Sequence, residues 1–228
     1  MRVILTGVTG QIGQEILTQC LANPSITSII ALTRRDLSTS HPKLRTYKMT
    51  DSDFLSYSNP DLLQDLKSAS ACLWTIGLTP SKARVADDEL KKRVSLDYLS
   101  AAATAFTKEI QPDSARKFRF IFISGVAAER DQNKALWYWG DFRRLRGESE
   151  NILFRHEERN PDVFEVHVMR PGPVPTTAGT LHDRLLGLVT SIRTDILAKA
   201  MIELALNGSG GDGERIYGNS RIVELGRK

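Results

Sequence analysis

The stretch MRVILTGVTGQIG, residues 1–13, decides the fold of this 228-residue chain. An apolar run of β type, residues 3–5, leads into Thr6 and then into three glycines spaced three residues apart, Gly7, Gly10 and Gly13. Apolar residues then follow at helical spacing: Ile12, Ile16, Leu17, Cys20 and Leu21. A strand, a glycine-rich turn and a helix therefore follow one another in that order.

Each glycine has a predicted role in such a turn. Gly7 allows the chain to leave the strand sharply, Gly10 lets the backbone approach a pyrophosphate, and Gly13 lets the helix pack against the sheet. The helix N-terminus offers unpaired N–H groups to the phosphates. The alternative is a turn whose glycines only make it tight. The pattern favours a Rossmann-like dinucleotide site, with contacts from Thr6, Gly7, Thr9, Gly10, Gln11, Ile12 and Gly13.

The rest of the chain alternates strand and helix patterns. Strands are predicted at 26–32, 44–48, 71–76, 118–123, 163–169 and 216–217, and helices at 61–66, 87–106, 142–156 and 195–206. No break between them is long enough to be a domain linker. The sequence therefore predicts one α/β domain over residues 1–228, a doubly wound parallel sheet. Substrate-side loops are expected near 78–86, 126–141 and 173–190.

Composition limits the possible classes of partner. The net charge of +4 is mild, and basic residues interleave with acidic ones around residues 143–150, so we expect no nucleic-acid partner. No apolar run approaches the ~20 residues that span a bilayer, so no membrane partner is expected either. Cys20 and Cys72 have neither metal nor redox spacing and are expected to be buried thiols. With no leader pattern at residues 1–15, these features predict a cytoplasmic protein without a metal site.

The end of the second predicted strand bears on the choice of cofactor. An NAD site usually has an acid there for the ribose hydroxyls, whereas a basic residue accommodates a 2′-phosphate. Thr33 stands at the acid's position, and Arg34 and Arg35 follow; Asp36 comes too late to be the ribose acid. Arginine pairs bidentately with phosphate. Solvated loop charges are the alternative, and the sequence favours NADP(H).

Four segments together resemble an atypical short-chain dehydrogenase/reductase: TGVTGQIG at 6–13, TRR at 33–35, FISG at 122–125 and VMRPGPV at 168–174. The pattern is most similar to Htatip2/TIP30-like and NmrA-like NAD(P)-binding proteins, over nearly the whole chain. The resemblance implies that Asp53 lies by the adenine and Gly77 near the cofactor. It also implies that Ser124 faces the substrate carbonyl. The turn Arg170-Pro171-Gly172 would border the nicotinamide.

Reductases of this family use a serine with a Tyr-x-x-x-Lys pair, and this chain has no such pair. The tyrosine delivers a proton as hydride arrives, and the lysine one helical turn away lowers its pKa and holds the ribose. The matching segment is DFRRLRGESE, residues 141–150. It places Phe142 where the tyrosine belongs and Arg146 where the lysine belongs. Phenylalanine has no proton to give, whereas arginine can still hold ribose and phosphate.

Other residues could act in place of that tyrosine. Tyr138, in the cluster Trp137-Tyr138-Trp139, lies one turn before Phe142 and could reach the pocket, although an aromatic lid or an apolar contact is favoured for this cluster. The four histidines, His41, His156, His167 and His182, have no partner at triad or metal spacing in the sequence. Only His182 is expected on the substrate side, and a surface loop explains it better than catalysis.

Three functions therefore stay open, and an enzyme is narrowly preferred, with Ser124, Tyr138 and Arg146 as its candidate catalytic residues. The first is an NADP(H)-dependent enzyme acting on a small carbonyl or polyketide-like molecule. The second is a regulatory protein that binds NADP(H) without chemistry. The third is a non-redox isomerase, cyclase or dehydratase. The partner is expected to be a small molecule. The apolar stripes near 90–106 and 142–156 fit a homodimer interface and core packing equally well.

Overall fold

The computed structural model describes residues 1–111, 116–174, 191–211 and 213–227. Within these ranges seven parallel strands form one sheet, in the order β3-β2-β1-β4-β5-β6-β7. The strands are β1 (Arg2–Thr6), β2 (Ser28–Thr33), β3 (Leu44–Lys48), β4 (Ala71–Trp74), β5 (Phe118–Ile123), β6 (Phe164–Met169) and β7 (Ile216–Tyr217). The strand order reverses between β1 and β4, and crevices that bind ligands lie at such points.

Helices cover both faces of the sheet. They are α1 (Gln11–Ala22), α2 (Asp51–Leu55), α3 (Pro60–Leu66), α4 (Pro80–Val85), α5 (Asp88–Lys92), α6 (Tyr98–Glu109), α7 (Gly140–Arg159), α8 (Thr194–Asn207) and α9 (Asn219–Leu225). A π-helical turn, Arg93–Asp97, joins α5 to α6. No helix in the described ranges has both the length and the apolar character needed to cross a bilayer.

Strand β5 shows how the core divides between the two faces. Ile121 packs with residues of α1 and α8, whereas Phe118, Phe120 and Phe122 pack against α6 and the other helices of the opposite face. This alternation follows from the period of two along a strand. Each fully buried phenylalanine stabilises the fold by about 1.5–3 kcal/mol relative to an exposed one.

The sheet confirms the predicted doubly wound architecture, with differences at the element ends. β2 begins at Ser28 rather than at residue 26, and β4 ends at Trp74 rather than at 76. Helix α7 is longer than predicted, and of its apolar residues Leu145, Ile152 and Leu153 only Leu153 is fully buried. The predicted loop 78–86 contains α4, and 175–190 lies outside the described residues.

Both cysteines are buried, as predicted. Burial raises the pKa of the Cys20 thiol to about 12 and that of Cys72 well above its usual value. The protonated thiol is a weak nucleophile and a weak metal ligand, so neither side chain is suited to redox or metal chemistry.

A charged cluster on β5, β6 and β7 makes the stability of the fold dependent on pH. Glu165 Oε1 lies 3.6 Å from His167 Nε2 and accepts a hydrogen bond of 2.9 Å from Arg215 Nη1, and Glu165 Oε2 lies 3.4 Å from Arg119 Nε. Contact with His167, followed by the charges of Arg215 and Arg119, lowers the pKa of Glu165 from 4.5 to about 2. The folded state therefore favours the ionised carboxylate.

We expect Glu165→Gln to lower the free energy of unfolding by about 2–3 kcal/mol at pH 7. Because the folded pKa is depressed, this contribution is fully present above about pH 4.5 and is lost as the pH falls towards 2. Urea unfolding of wild type and variant from pH 7 to pH 3 measures the difference. A gap between the two proteins that stayed constant over this range would contradict the assignment.

Candidate functional site

Three glycines shape the turn after β1. Gly7 has φ of +64°, and the Gly10 N–H donates to the Gly7 carbonyl at 2.8 Å. Gly10 precedes α1 in extended backbone (φ −91°, ψ 162°), and no side chain caps the helix there. A Cβ on Gly13 would lie 2.2 Å from the Gly7 oxygen, so the lack of a side chain at Gly13 lets α1 pack closely against the end of the β1 turn.

The ends of β1 and β4 are tied together beside this turn. The Thr75 N–H donates to Thr6 Oγ1 at 3.1 Å, and the Thr75 hydroxyl donates to the Thr6 carbonyl at 2.6 Å. Thr75 also fixes the path of the turn, because a Cβ on Gly7 would lie 2.3 Å from its Oγ1. Gly77, two residues on, is exposed, and a Cβ there would meet no atom within 4 Å. No sequence motif marks Thr75, which the structure adds to the turn.

The chain after β2 presents basic groups to solvent. Thr33 is buried, and its hydroxyl donates to the Arg35 carbonyl at 2.9 Å and accepts from the Arg35 N–H at 3.3 Å. This small turn leaves the Arg34 side chain 58% exposed, with Nη1 3.7 Å from Asp51 Oδ1. Asp36 pairs with Lys48 of β3 at 2.8 Å. The buried threonine leaves no carboxylate at the position of a ribose acid.

Asp53 has a structural role in this fold. Its carboxylate accepts from the Thr50 N–H and from the Thr50 hydroxyl, both at 2.7 Å, and so closes a capping box at the start of α2. These hydrogen bonds lower the pKa of the Asp53 carboxyl. The contact with an adenine implied by the family resemblance stays a prediction.

A buried network joins β5, β6 and α7. Ser124, directly after β5, donates its hydroxyl proton to Glu150 Oε1 at 2.5 Å. Arg170, directly after β6, donates from Nε to the same oxygen at 2.9 Å and from Nη2 to Oε2 at 2.5 Å. Glu150 has no exposed surface. A hydroxyl has one proton, so in this arrangement Ser124 offers only acceptor lone pairs to a substrate.

Arg146 and Phe142 share the α7 face beside Ser124. Arg146 Nη1 donates to the Ser124 carbonyl at 2.5 Å and Nη2 to the Leu78 carbonyl at 3.2 Å. The guanidinium carbon lies 4.8 Å from the centre of the Phe142 ring. Burial lowers the pKa of Arg146 to about 10, opposed by the charge of Glu150, so the group is still cationic at neutral pH. The structure thus places the predicted pair one helical turn apart, at the end of β5.

Three consecutive aromatic residues, Trp137, Tyr138 and Trp139, precede α7 and form an aromatic lip. Neighbouring ring centres in the lip are 5.8 Å apart, and Trp139 meets Phe142 edge-on at 5.7 Å. Trp139 has φ of +51°, a left-handed conformation that is rare for a bulky residue. The Tyr138 side chain is 56% exposed and stands outside the helix. The described ring contacts of Tyr138 are with Trp137 and Trp139, so its catalytic role stays a prediction.

The segment after β6 is fixed by backbone contacts. The Arg170 N–H donates to the Tyr217 carbonyl at 2.9 Å, and the Pro171 carbonyl accepts from the Val126 N–H at 3.0 Å. The Gly172 N–H donates to Asn219 Oδ1 at 3.1 Å. These bonds hold the turn at the carboxyl ends of β6 and β7. His182 lies outside the described residues.

The remaining three histidines are accounted for by local contacts. His167 is buried and lies 2.9 Å from the Tyr217 hydroxyl, and His156 Nε2 lies 2.8 Å from the Thr107 hydroxyl. Burial is the main cause that lowers the pKa of His156. His41 Nδ1 accepts from the Lys43 N–H at 3.1 Å. All three contacts are away from Ser124 and Arg146.

The residues predicted from sequence collect at one edge of the sheet. The glycine turn, Ser124 and Arg170 follow β1, β5 and β6 directly, and Arg146 reaches Ser124 from α7. Glu150 is the functional candidate that the sequence analysis missed. The signal available was its position four residues after Arg146, on the same helix face.

Comparison with solved structures supports the fold. The structure is similar to a short-chain dehydrogenase from Burkholderia cenocepacia in complex with NADP (TM-score 0.70, 14% identity, 98% of this chain and 91% of that one). It is also similar to the yeast methylglyoxal/isovaleraldehyde reductase Gre2 complexed with NADPH (TM-score 0.69, 15% identity, 96% and 77%). A third similar structure is MoeE5 in complex with UDP-glucose and NAD (TM-score 0.70, 16% identity, 96% and 75%). At identities of 14–16%, these TM-scores show a shared Rossmann-like fold and nothing narrower.

The sequence relatives are named Fmp52 proteins rather than Htatip2/TIP30-like or NmrA-like proteins. No protein-family profile matches the chain. It is 26% identical to protein fmp52-1, mitochondrial, of Aspergillus terreus, over 99% of each chain. It is 32% identical to protein FMP52, mitochondrial, of Candida albicans, over 45% of this chain and 44% of that one. The narrower likeness to Htatip2/TIP30-like or NmrA-like proteins stays a resemblance in motifs.

These relatives contradict the cytoplasmic location predicted from the sequence. Both Fmp52 proteins are named as mitochondrial. The prediction depended on the lack of a recognisable leader and on two unpaired cysteines. Neither is a positive signal for any compartment, which is why the inference was wrong.

Proposed function

We propose that this chain binds NADP(H) at the turn after β1 and is an oxidoreductase of the short-chain dehydrogenase/reductase type. The observation that carries the proposal is that the glycine turn and the pair Ser124–Arg146 lie at the same carboxyl edge of one parallel sheet. Support comes from three structural neighbours, which are complexes with NAD, NADP or NADPH. The basic residue Arg34 after β2 favours the phosphorylated cofactor.

The side chains around Ser124 limit the chemistry. NADPH, when bound, supplies a hydride. Phe142 cannot donate a proton, and the Ser124 proton is committed to Glu150. Arg146 is a fixed cation that can stabilise negative charge on a substrate oxygen. Such a site suits a small conjugated or polyketide-like carbonyl, whose enolate takes its proton from water.

A second function is favoured by the lack of a proton donor at Phe142 and by the hydrogen bond from the Ser124 hydroxyl to Glu150. A protein that only binds NADP(H), as a regulator, needs neither a tyrosine at position 142 nor a free serine hydroxyl. An isomerase, cyclase or dehydratase on this fold is a third function, and its reaction consumes no NADPH. The network around Glu150 fits any of these functions, because the Glu150 ion pair with Arg170 also ties α7 to the end of β6.

NADPH consumption with a panel of ketones, quinones and enones separates these functions. We expect consumption with enones or quinones, and little with simple ketones. Binding of NADPH without turnover would favour the regulator. Product formation without NADPH consumption would favour the non-redox enzyme. The partner proposed is a small molecule rather than nucleic acid or membrane, with a homodimer left to a sizing experiment.

We expect Arg34→Ala to weaken NADPH binding by about 1.5–3 kcal/mol, or roughly 10–150-fold, and to leave NADH binding nearly unchanged. The reason is the loss of a charge-assisted contact with the 2′-phosphate. Calorimetric titration of both cofactors into wild type and variant measures the effect. Equal affinity of the wild type for NADPH and NADH would overturn the choice of cofactor.

A further inference from the structure

Two arginines that are 59 positions apart in sequence converge on one carboxylate. Arg34 follows β2, and Arg93 begins the π-helical turn between α5 and α6. Arg34 Nη1 lies 3.7 Å from Asp51 Oδ1, and Arg93 Nη1 lies 4.0 Å from Asp51 Oδ2. The fold thus brings a second guanidinium to the position where the sequence alone indicated one.

The π-helical turn explains how Arg93 reaches this position. A π turn inserts an extra residue into a helix and rotates the side chains on either side of it, and such turns are frequent at functional sites. Val94, the next residue, is buried in the core, which fixes the backbone of the turn. Arg93 is therefore anchored by packing rather than carried on a loose helix end.

The contacts that now hold the two arginines are weak ones. Both distances to Asp51 exceed hydrogen-bond length, and Asp51 is about half exposed. Arg93 also pairs with Glu89, one turn earlier, but that carboxylate is 81% exposed, and exposed helix pairs contribute little. A phosphate monoester carries up to two negative charges and accepts forked hydrogen bonds from guanidinium groups. It can therefore compete for both arginines.

We propose that Arg34 and Arg93 together form a subsite for a phosphate monoester dianion, and that its ligand is the 2′-phosphate of NADP(H). The inference rests on the proposed function, since it places a new residue, Arg93, in the same cofactor site. Arg34 supplies one fork from the end of β2, and Arg93 supplies the second from the π turn. Asp51 holds the two guanidinium groups near each other through its weak contacts until the phosphate replaces its carboxylate between them.

The test compares the dissociation constants of NADPH and NADH, because the two cofactors differ only at the 2′ position. We expect Arg93→Ala to reduce the preference for NADPH about tenfold while the NADH constant stays the same. Arg93→Lys keeps the charge without the fork and should lose less of the preference. The double variant Arg34→Ala/Arg93→Ala should bind the two cofactors almost equally. Thermal unfolding of each variant verifies that it is folded.

Glu89→Gln is the matched control. It removes the helix partner of Arg93 and leaves the guanidinium in place, so we expect the preference to persist. If Arg93 serves only to hold α5, then Glu89→Gln and Arg93→Ala should act alike, and the subsite would be refuted. A preference unchanged by Arg93→Ala, or an equal loss for both cofactors, would also overturn it. A wild type without preference would refute the proposed NADP(H) specificity itself, which is a distinguishable result.

Discussion

Gly10→Val is expected to abolish dinucleotide binding in a protein that still folds. Gly10 has φ of −91°, which any residue adopts, and an added Cβ would meet only the Gly7 oxygen, at 3.3 Å. The branched side chain would instead project where a pyrophosphate must approach the helix N-terminus. Titration with NADPH and NADH, together with thermal unfolding, measures both properties. Normal cofactor binding by this variant would show that the turn does not bind phosphate.

Substitutions at two other glycines serve as controls for Gly10→Val. Gly13→Val should destabilise the fold by roughly 1–3 kcal/mol or more, because its Cβ would lie 2.2 Å from the Gly7 carbonyl. Gly218 precedes α9 with φ of −73°, and a Cβ there would meet no atom of the described residues within 4 Å. Gly218→Val should therefore fold and bind normally. The three variants separate loss of binding from loss of fold.

Phe142→Tyr is expected to raise the rate of simple ketone reduction towards that of a site with a positioned acid. Such an acid typically contributes about 10²–10⁴-fold. The tyrosine hydroxyl would stand on the helix face that carries Arg146, whose guanidinium lies 4.8 Å from the present ring centre. That cation would favour the tyrosinate and so lower the tyrosine pKa. NADPH oxidation with a simple aliphatic ketone and with a cyclic enone, in wild type and variant, measures the change.

Tyr138→Phe is the necessary control for that experiment. The structure leaves Tyr138 in the aromatic lip, so its loss should not change ketone reduction by the Phe142→Tyr variant. Robust ketone reduction by the wild type that disappears in Tyr138→Phe would mean that Tyr138 is the acid. The assignment of Phe142 to the tyrosine position would then be wrong.

The ends of strands were predictable from sequence where polar or turn residues stand next to the strand. The strand at 118–123 has the predicted ends because basic residues precede its largely apolar run and Ser124-Gly125 follows it. The strand at 44–48 also has the predicted ends, although it has no buried residue. Helices α2 and α4 were missed because five or six residues cannot show a helical period. Their signals lay in the caps, Thr50 with Asp53 and Thr79 with Pro80.

The candidate site was predictable only in part, because side-chain pairing is not a local property of sequence. The spacing of Phe142 and Arg146 places them on one face of a helix whatever surrounds it. In the sequence, Glu150 cannot be distinguished from the other charged residues of this helix. Its role becomes visible only in the fold, where Ser124 after β5 and Arg170 after β6 both donate hydrogen bonds to it. The inward side of α7 also includes Gly147 and Ser149, so its buried face is not an apolar stripe.

The position of β1 in the middle of the sheet has a consequence for how the chain is made. β1 precedes the other described strands of this sheet in the chain, and it pairs with β2 on one side and with β4 on the other. Its β4 edge cannot close until residues 71–74 emerge, several seconds later at roughly 5–20 residues per second. Throughout that interval the nascent chain exposes an apolar strand edge, Val3 to Leu5, that can pair with other chains. A chaperone that binds extended apolar segments would protect it most at this stage of synthesis.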